Sequence, residues 1–293
     1  HGMSILLDYH YSDFWADPGK QRVPKAWRGM DADQLEQAVY DYTRETLLEM
    51  KDAGVLPQLV QVGNELTNGL MWPLGQKPEY DNIAKFVSAG IRAVDSDIPV
   101  MIHLDNGGNN PMYVDWFDNY MERGENFDII GMSYYPFWHG TMKELEANMR
   151  DMADRYGKKI VIAEVSMGFT MEDYADYEKL GPDDRKGYAT KPSLVENLDY
   201  PMTPEGQAEF MNDIMKLIDD VPGGDGFYYW EAGWIPVPGS GWATEGALSY
   251  IEESGPCGNE WANQALFDYD GHALPALKTI RDYKPLHSDY PLK

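Results

Sequence analysis

Short apolar runs rich in β-branched residues take turns with longer stretches whose apolar residues recur at helical spacing, along nearly the whole chain. That alternation leaves few architectures open, because successive strands must lie parallel with a helix packed between them. The spacing predicts strands over residues 4–10, 59–64, 100–104, 128–134, 159–164 and 226–231. Between them, Asp31 with Gln34 three residues on predicts a helix start, and Leu35, Val39, Tyr42 and Leu47 follow the helical period until Gly54. Ile83, Phe86, Val87, Ile91 and Val94 mark a second helix, and Leu145, Met149, Met152 and Tyr156 a third that Gly157 closes. Thr203-Pro204 opens a fourth, with Phe210, Met211, Ile214, Leu217 and Ile218 facing inward.

No internal repeat and no low-complexity linker interrupts this order, so residues 1–293 are read as one α/β domain. Two stretches, 168–201 and 233–263, carry no periodicity and are rich in Gly, Pro, Asp, Tyr and Trp. Both follow a strand, which places them at the strands' C-terminal face, where barrel enzymes build their sites.

Charge and composition exclude several functions. Acidic residues outnumber basic ones by 49 to 24, a net charge of −25 that repels phosphate backbones and anionic bilayers. Nucleic acid and membranes are therefore poor partners, and a neutral or cationic substrate is expected. No apolar stretch approaches the ~18 residues of a membrane span. The single cysteine, Cys257, cannot form an internal disulfide and stands in a Gly/Pro/Asn-rich segment that argues against a nucleophile. Zinc is disfavoured because the six histidines show no paired ligand spacing. Aromatic residues, at 13% with 9 Trp and 20 Tyr, fit either a generous core or a cleft in which rings stack on sugar faces.

Polar residues gather where the predicted strands end. The second strand runs into Gly63-Asn64-Glu65, and the fifth ends on Ala163-Glu164. Two carboxyl groups at the tips of parallel strands of one curved sheet would face a common pocket. Glycosidic hydrolysis needs such a pair, one to protonate the departing oxygen and one to attack or to activate water. Each Glu alone reads as a salt-bridged surface residue; as a pair, with Asn64 beside one and aromatics around both, they read as catalytic. Glu231 is a third strand-end carboxylate and a weaker competitor, because it lacks the Asn-Glu dipeptide. His10 and Asp13 follow the first strand, where a role in orienting a carboxylate or bonding a sugar hydroxyl is favoured over catalysis by histidine. Tyr134, His139, Trp230 and Trp242 belong to aromatic clusters after the later strands.

These residues also carry a resemblance. The segments Leu-Leu-Asp-Tyr-His-Tyr-Ser-Asp-Phe-Trp-Ala-Asp-Pro-Gly-Lys-Gln (6–21), Val-Gln-Val-Gly-Asn-Glu (60–65), Asn-Gly-Leu-Met-Trp-Pro (68–73), Ser-Tyr-Tyr-Pro-Phe-Trp-His-Gly-Thr (133–141) and Gly-Phe-Tyr-Tyr-Trp-Glu (226–231) are similar to those of glycoside hydrolase family 53, the arabinogalactan endo-β-1,4-galactanases. The resemblance covers nearly the whole chain and implies a (β/α)8 TIM barrel that cuts galactan inside the chain with retention. It implies Glu65 as acid/base, Glu164 as nucleophile and Asn64 on the sugar 2-hydroxyl. His10, Tyr134 and Trp230 would line the same subsite, Trp72 and Trp15 the leaving-group side, and Trp242 the far glycone side. Family members carry two βα units before the His-Tyr-Ser-Asp segment, so the first strand here corresponds to their third, and two units are expected to precede His1.

The chemistry requires no cofactor. Bacterial relatives hold a calcium ion in the loop after strand seven, where this chain offers Glu172, Asp173, Asp176, Asp183 and Asp184, but their spacing does not match the relatives' motif and a solvated acidic loop is the plainer reading. A secreted monomer acting on polysaccharide is expected. Two other readings stay open: a related barrel acting on mannan or cellulose, and a non-catalytic carbohydrate-binding protein.

Overall fold

The computed structural model describes residues 2–172, 192–196, 198–237, 243–251, 259 and 261–285. Its strands are β1 (Leu6–Tyr9), β2 (Leu59–Val62), β3 (Val100–Leu104), β4 (Ile129–Tyr134), β5 (Lys159–Val165) and β6 (Gly224–Tyr229). They form one sheet in the order β1-β2-β3-β4-β5-β6, every neighbouring pair parallel. All six expected strands are present. Its helices are α1 (Ala32–Asp52), α2 (Tyr80–Ala93), α3 (Asn110–Met121), α4 (Met142–Tyr156), α5 (Pro192–Val195), α6 (Pro204–Asp220), α7 (Glu245–Ile251) and α8 (Pro275–Asp282). None of them is long and apolar enough to cross a membrane.

Local chemistry explains the helix ends. Asp31 and Gln34 form a reciprocal capping box on α1, and Thr141 with Glu144 does the same on α4. Gly157 ends α4 in the left-handed conformation, and the Thr203 side chain accepts from Gly206 N–H at the start of α6, with Pro204 following. Three features depart from the sequence reading. Helix α3 appears between β3 and β4, where none was expected, with Tyr113, Trp116, Phe117 and Tyr120 fully buried on one face. Helix α8 follows the last strand. Within the two aperiodic stretches, α5 and α7 form short helices.

Two layers of core result. Helices α1 to α4 and α6 pack their apolar faces on the outside of the sheet in one large cluster. A smaller cluster of Met101, Ile129, Val161 and Ala163 fills the concave side, with Leu6 and Leu59 against it. Gly131 makes room for it, since a Cβ there would lie 2.9 Å from the Met101 sulfur. Alternation along each strand then decides what stands above this plug. On β3, Met101 and His103 share the concave face; on β4, Ile129, Gly131 and Ser133 do. The top of the concave face is therefore polar and its floor apolar.

Candidate active site

Curvature assembles the site. In a flat sheet, β2 and β5 would lie about 14 Å apart, three strand spacings. Here a carboxylate oxygen of Glu65 and one of Glu164 lie within 4.8 Å of each other. Both residues are buried. At that distance a second negative charge costs about 3.5 kcal/mol at an effective dielectric constant of about 20, so the pair does not readily ionise twice.

Each carboxyl group has its own surroundings. The β2 tip turns at Gly63, whose φ of +83° and contact with the Leu66 side chain exclude any Cβ. Glu65 follows at φ 48°, left-handed backbone that a residue with a side chain adopts only when its surroundings impose it. Gln21 Nε2 imposes it, donating to the carbonyls of Asn64 (2.8 Å) and Glu65 (3.3 Å). The Glu65 Oε1 lies 2.6 Å from Ser133 Oγ. Burial first, then the charge of Glu164, hold Glu65 well above the ordinary carboxyl range. Glu164 accepts a hydrogen bond from the Tyr135 hydroxyl (2.6 Å). Burial pushes its carboxyl up to about 7, and the Tyr135 bond opposes that rise.

The two carboxyls open onto a cleft of about 570 Å³ at the strands' C-terminal face. The sequence profile of glycosyl hydrolase family 53 matches residues 1–280 of this chain. The chain belongs to that family. A protein of Niallia circulans is 37% identical over 294 residues, covering 96% of this chain and 75% of its own length. The endo-beta-1,4-galactanase of Bacillus subtilis (strain 168) is 36% identical over 303 residues, covering 96% of this chain and 67% of its own. A solved GH53 catalytic domain from Ignisphaera aggregans superposes with a TM-score of 0.81 at 36% identity, covering 95% of this chain and 73% of that one. The parallel sheet thus supplies six staves of the family's (β/α)8 barrel.

Within this family 53 cleft, His10, Trp15, Asn64, Glu65, His139, Glu164 and Trp230 come together as expected. His10 accepts at Nδ1 from Ala16 N–H (2.8 Å) and faces Asp8 through Nε2 (3.2 Å). Burial works to lower its pKa, but the bond to Asp8 and the charges of Asp8 and Glu164 outweigh it and raise it. Asn64 donates to Ala16 O (2.8 Å). The Trp15 and Trp230 rings meet edge to face with centroids 5.7 Å apart. Burial lowers the His139 pKa to about 4, so this ring is neutral near pH 7.

Three expected residues stand elsewhere. Tyr134 points out of the sheet, stacked on Phe210 of α6 with its hydroxyl donating to Gly140 O (3.1 Å). Its neighbours on the concave side, Ser133 and Tyr135, take the place at the carboxyls, because alternate residues of a strand face opposite ways. Asp13 accepts from Lys25 N–H (2.7 Å), stapling the β1–α1 connection; Asp17 of that connection lines the cleft instead. Trp72 is half-buried, donates from Nε1 to Asn68 O (2.9 Å) and is absent from the cleft lining. Trp242, Cys257, Asp173, Asp176, Asp183 and Asp184 lie outside the described residues.

The sequence reading also missed a buried polar layer behind the carboxyls. Its members are Gln61 on β2, His103 on β3 and Ser133 on β4, together with Asp105, which accepts from the Thr67 hydroxyl and lines the cleft. A signal existed: a histidine or glutamine inside an otherwise apolar strand can only be accommodated where partners wait. His103 lies close enough to both catalytic-candidate carboxyls to complete a metal-ligand trio by distance. Both of its ring nitrogens are already engaged, by Asn64 (2.9 Å) and Ser133 (2.8 Å), so His103 has no free lone pair for a metal to take.

Proposed function

We propose that this family 53 protein hydrolyses β-1,4-galactosidic bonds within galactan chains by double displacement, with retention at the anomeric carbon. The observation that carries the reading is the separation of the Glu65 and Glu164 carboxyls, within 4.8 Å at their nearest oxygens. Retaining enzymes hold the two groups about 5–5.5 Å apart, whereas inverting ones leave about 6.5–9.5 Å for a water. The galactanase name of the Bacillus subtilis relative supports the substrate.

In this scheme Glu164 is the nucleophile. The Tyr135 hydroxyl donates to it, and the His10 charge nearby favours its charged form. Its attack on the anomeric carbon forms a glycosyl-enzyme while Glu65, held protonated by burial and by the charge of Glu164, gives its proton to the departing oxygen. Glu65 then takes a proton from the water that releases the sugar. Asn64 holds the 2-hydroxyl and Trp230 the sugar face, with Trp15 toward the leaving group. Carboxyl groups and water suffice for both steps. This scheme needs no second subunit, and a polymeric substrate fits an enzyme acting outside the cell.

The test is digestion of linear β-1,4-galactan, mannan and cellulose, followed by reducing-end release and the anomeric proton signals of fresh product. Galactan alone should be cut, with β-anomer appearing first. Cleavage of mannan or cellulose at a comparable rate would overturn the substrate, and α-anomer first would overturn the mechanism.

A further inference from the structure

The polar layer behind Glu65 has a direction, set by which atoms carry hydrogens. Asn64 donates from Nδ2 to Ala16 O (2.8 Å), which fixes its amide and turns Oδ1 toward His103 Nδ1 at 2.9 Å. A carbonyl oxygen only accepts, so Nδ1 carries the hydrogen. Gln61 Nε2 donates to the same Oδ1 (3.1 Å) and lies 3.2 Å from Nδ1. Burial drives the His103 pKa down to about 3, which leaves the ring neutral and Nε2 with a bare lone pair. Nε2 lies 2.8 Å from Ser133 Oγ and must accept the serine's hydrogen. The same Oγ lies 2.6 Å from Glu65 Oε1.

Ser133 has one hydrogen and two neighbours that can accept it. With the hydrogen given to His103, the short contact to Glu65 is satisfied only when Glu65 is itself protonated and donates. Ionised Glu65 would need Ser133 to turn toward it, stranding a buried imidazole acceptor, or would face the serine oxygen lone pair to lone pair. We propose that His103, acting through Ser133, is a positioning residue that keeps Glu65 in its acid form by withholding the Ser133 hydrogen from the Glu65 carboxylate. The proposal deepens the reading of Glu65 as acid/base and rests on it.

Other groups facing Glu65 act in parallel. Glu164 on β5, Asp105 after β3 and Asp17 after β1 oppose a negative charge there. Tyr113 on α3 and Tyr135 after β4 also sense the Glu65 charge, and burial holds both hydroxyls protonated. A change at His103 leaves all of these in place. His103→Asn keeps an amide donor near the Nδ1 position for Asn64 and removes the acceptor that engages Ser133.

Two measurements test the proposal. In protein labelled with 15N-histidine, the His103 ring should show the Nδ1–H tautomer at neutral pH; an Nε2–H tautomer or an imidazolium would overturn it. In His103→Asn the freed Ser133 should donate to the Glu65 carboxylate. The alkaline limb of kcat/KM on galactan should then move down by about one pH unit, a tenfold change in the ionisation constant. That shift should vanish in the Ser133→Ala background, because it travels through the hydroxyl. A limb that stays or moves up in folded His103→Asn would also overturn it. If His103→Asn does not fold, the tautomer in the unaltered protein decides. That spectrum is independent of turnover, so absence of galactanase activity would sink the functional reading while leaving the hydrogen-bond direction measurable.

Discussion

Glu65 and Glu164 are the same chemical group placed in two settings, and the settings are nearly opposite. Glu65 sits on left-handed backbone beyond a strand tip, held by Gln21, with three carboxylates around it and a serine whose hydrogen, in the proposal above, goes to His103. Glu164 sits within β5, on backbone paired with Ser133 of β4, and receives the Tyr135 hydrogen with the His10 ring nearby to favour its charge. Burial raises both. What separates an acid from a nucleophile here is the sign of the neighbours and the direction of their hydrogens, not the depth of the pocket.

The largest expected effect erases one side of this contrast. Glu164→Ala should lower turnover of galactan by at least about 10⁴-fold, the scale seen when a covalent nucleophile is lost. Azide should restore activity toward an activated aryl galactoside and give the inverted galactosyl azide. Retained turnover, or a retained-configuration azide product, would put the nucleophile elsewhere. Glu65→Ala should cost about 10²–10⁴-fold on galactan. Its effect on formation of the glycosyl-enzyme from an aryl galactoside with a good leaving group should be far smaller. Equal losses on both substrates would mean that the two settings do not divide the roles.

A smaller effect sharpens the contrast through stability. Both folded carboxyls bind their protons more tightly than an unfolded chain does. Between the ordinary carboxyl range and about pH 7 the folded state therefore holds more protons, and stability falls as pH rises through that window. Glu164→Gln removes the ionisation, so its melting temperature should depend less on pH than that of the unaltered protein. Above the window, the variant should gain about 3 kcal/mol. The gain from Glu65→Gln should keep growing to higher pH, as the acid role proposed for it requires. Thermal melts from pH 4 to 9 check both slopes, and coincident curves for the two variants would remove the distinction.

Much of this site was legible in the chain. Short β-branched or apolar runs placed all six strands of the described residues, most plainly β3 to β5, which are buried on both faces. Glu65 and Glu164 followed from standing at strand tips. Tyr134 was carried over from the family resemblance; one residue of phase exchanges the two faces of a strand, and the β4–β5 register does shift between Met132 and Ser133. Asp13 and Asp17 lie in one irregular connection, where no periodicity tells which carboxylate faces inward. The family resemblance placed Trp72 on the leaving-group side of the cleft, whereas its indole here donates to Asn68 O in a local turn. Gln61, His103 and Ser133 were passed over because partners from three strands give them meaning, and that convergence exists only once the sheet is curved. Helix α3 was missed although Tyr113, Trp116, Phe117 and Tyr120 carry the helical period.

The contact between Trp15 and Trp230 joins the connection after β1 to the end of β6, the first and last strands in the sheet order. An oligosaccharide resting on these rings would bridge the connection after β1 and the end of β6, so occupancy should slow amide exchange in both segments, which lie more than two hundred residues apart in the chain. The polymer would then brace the cleft that cuts it, and each release of product would loosen that brace again.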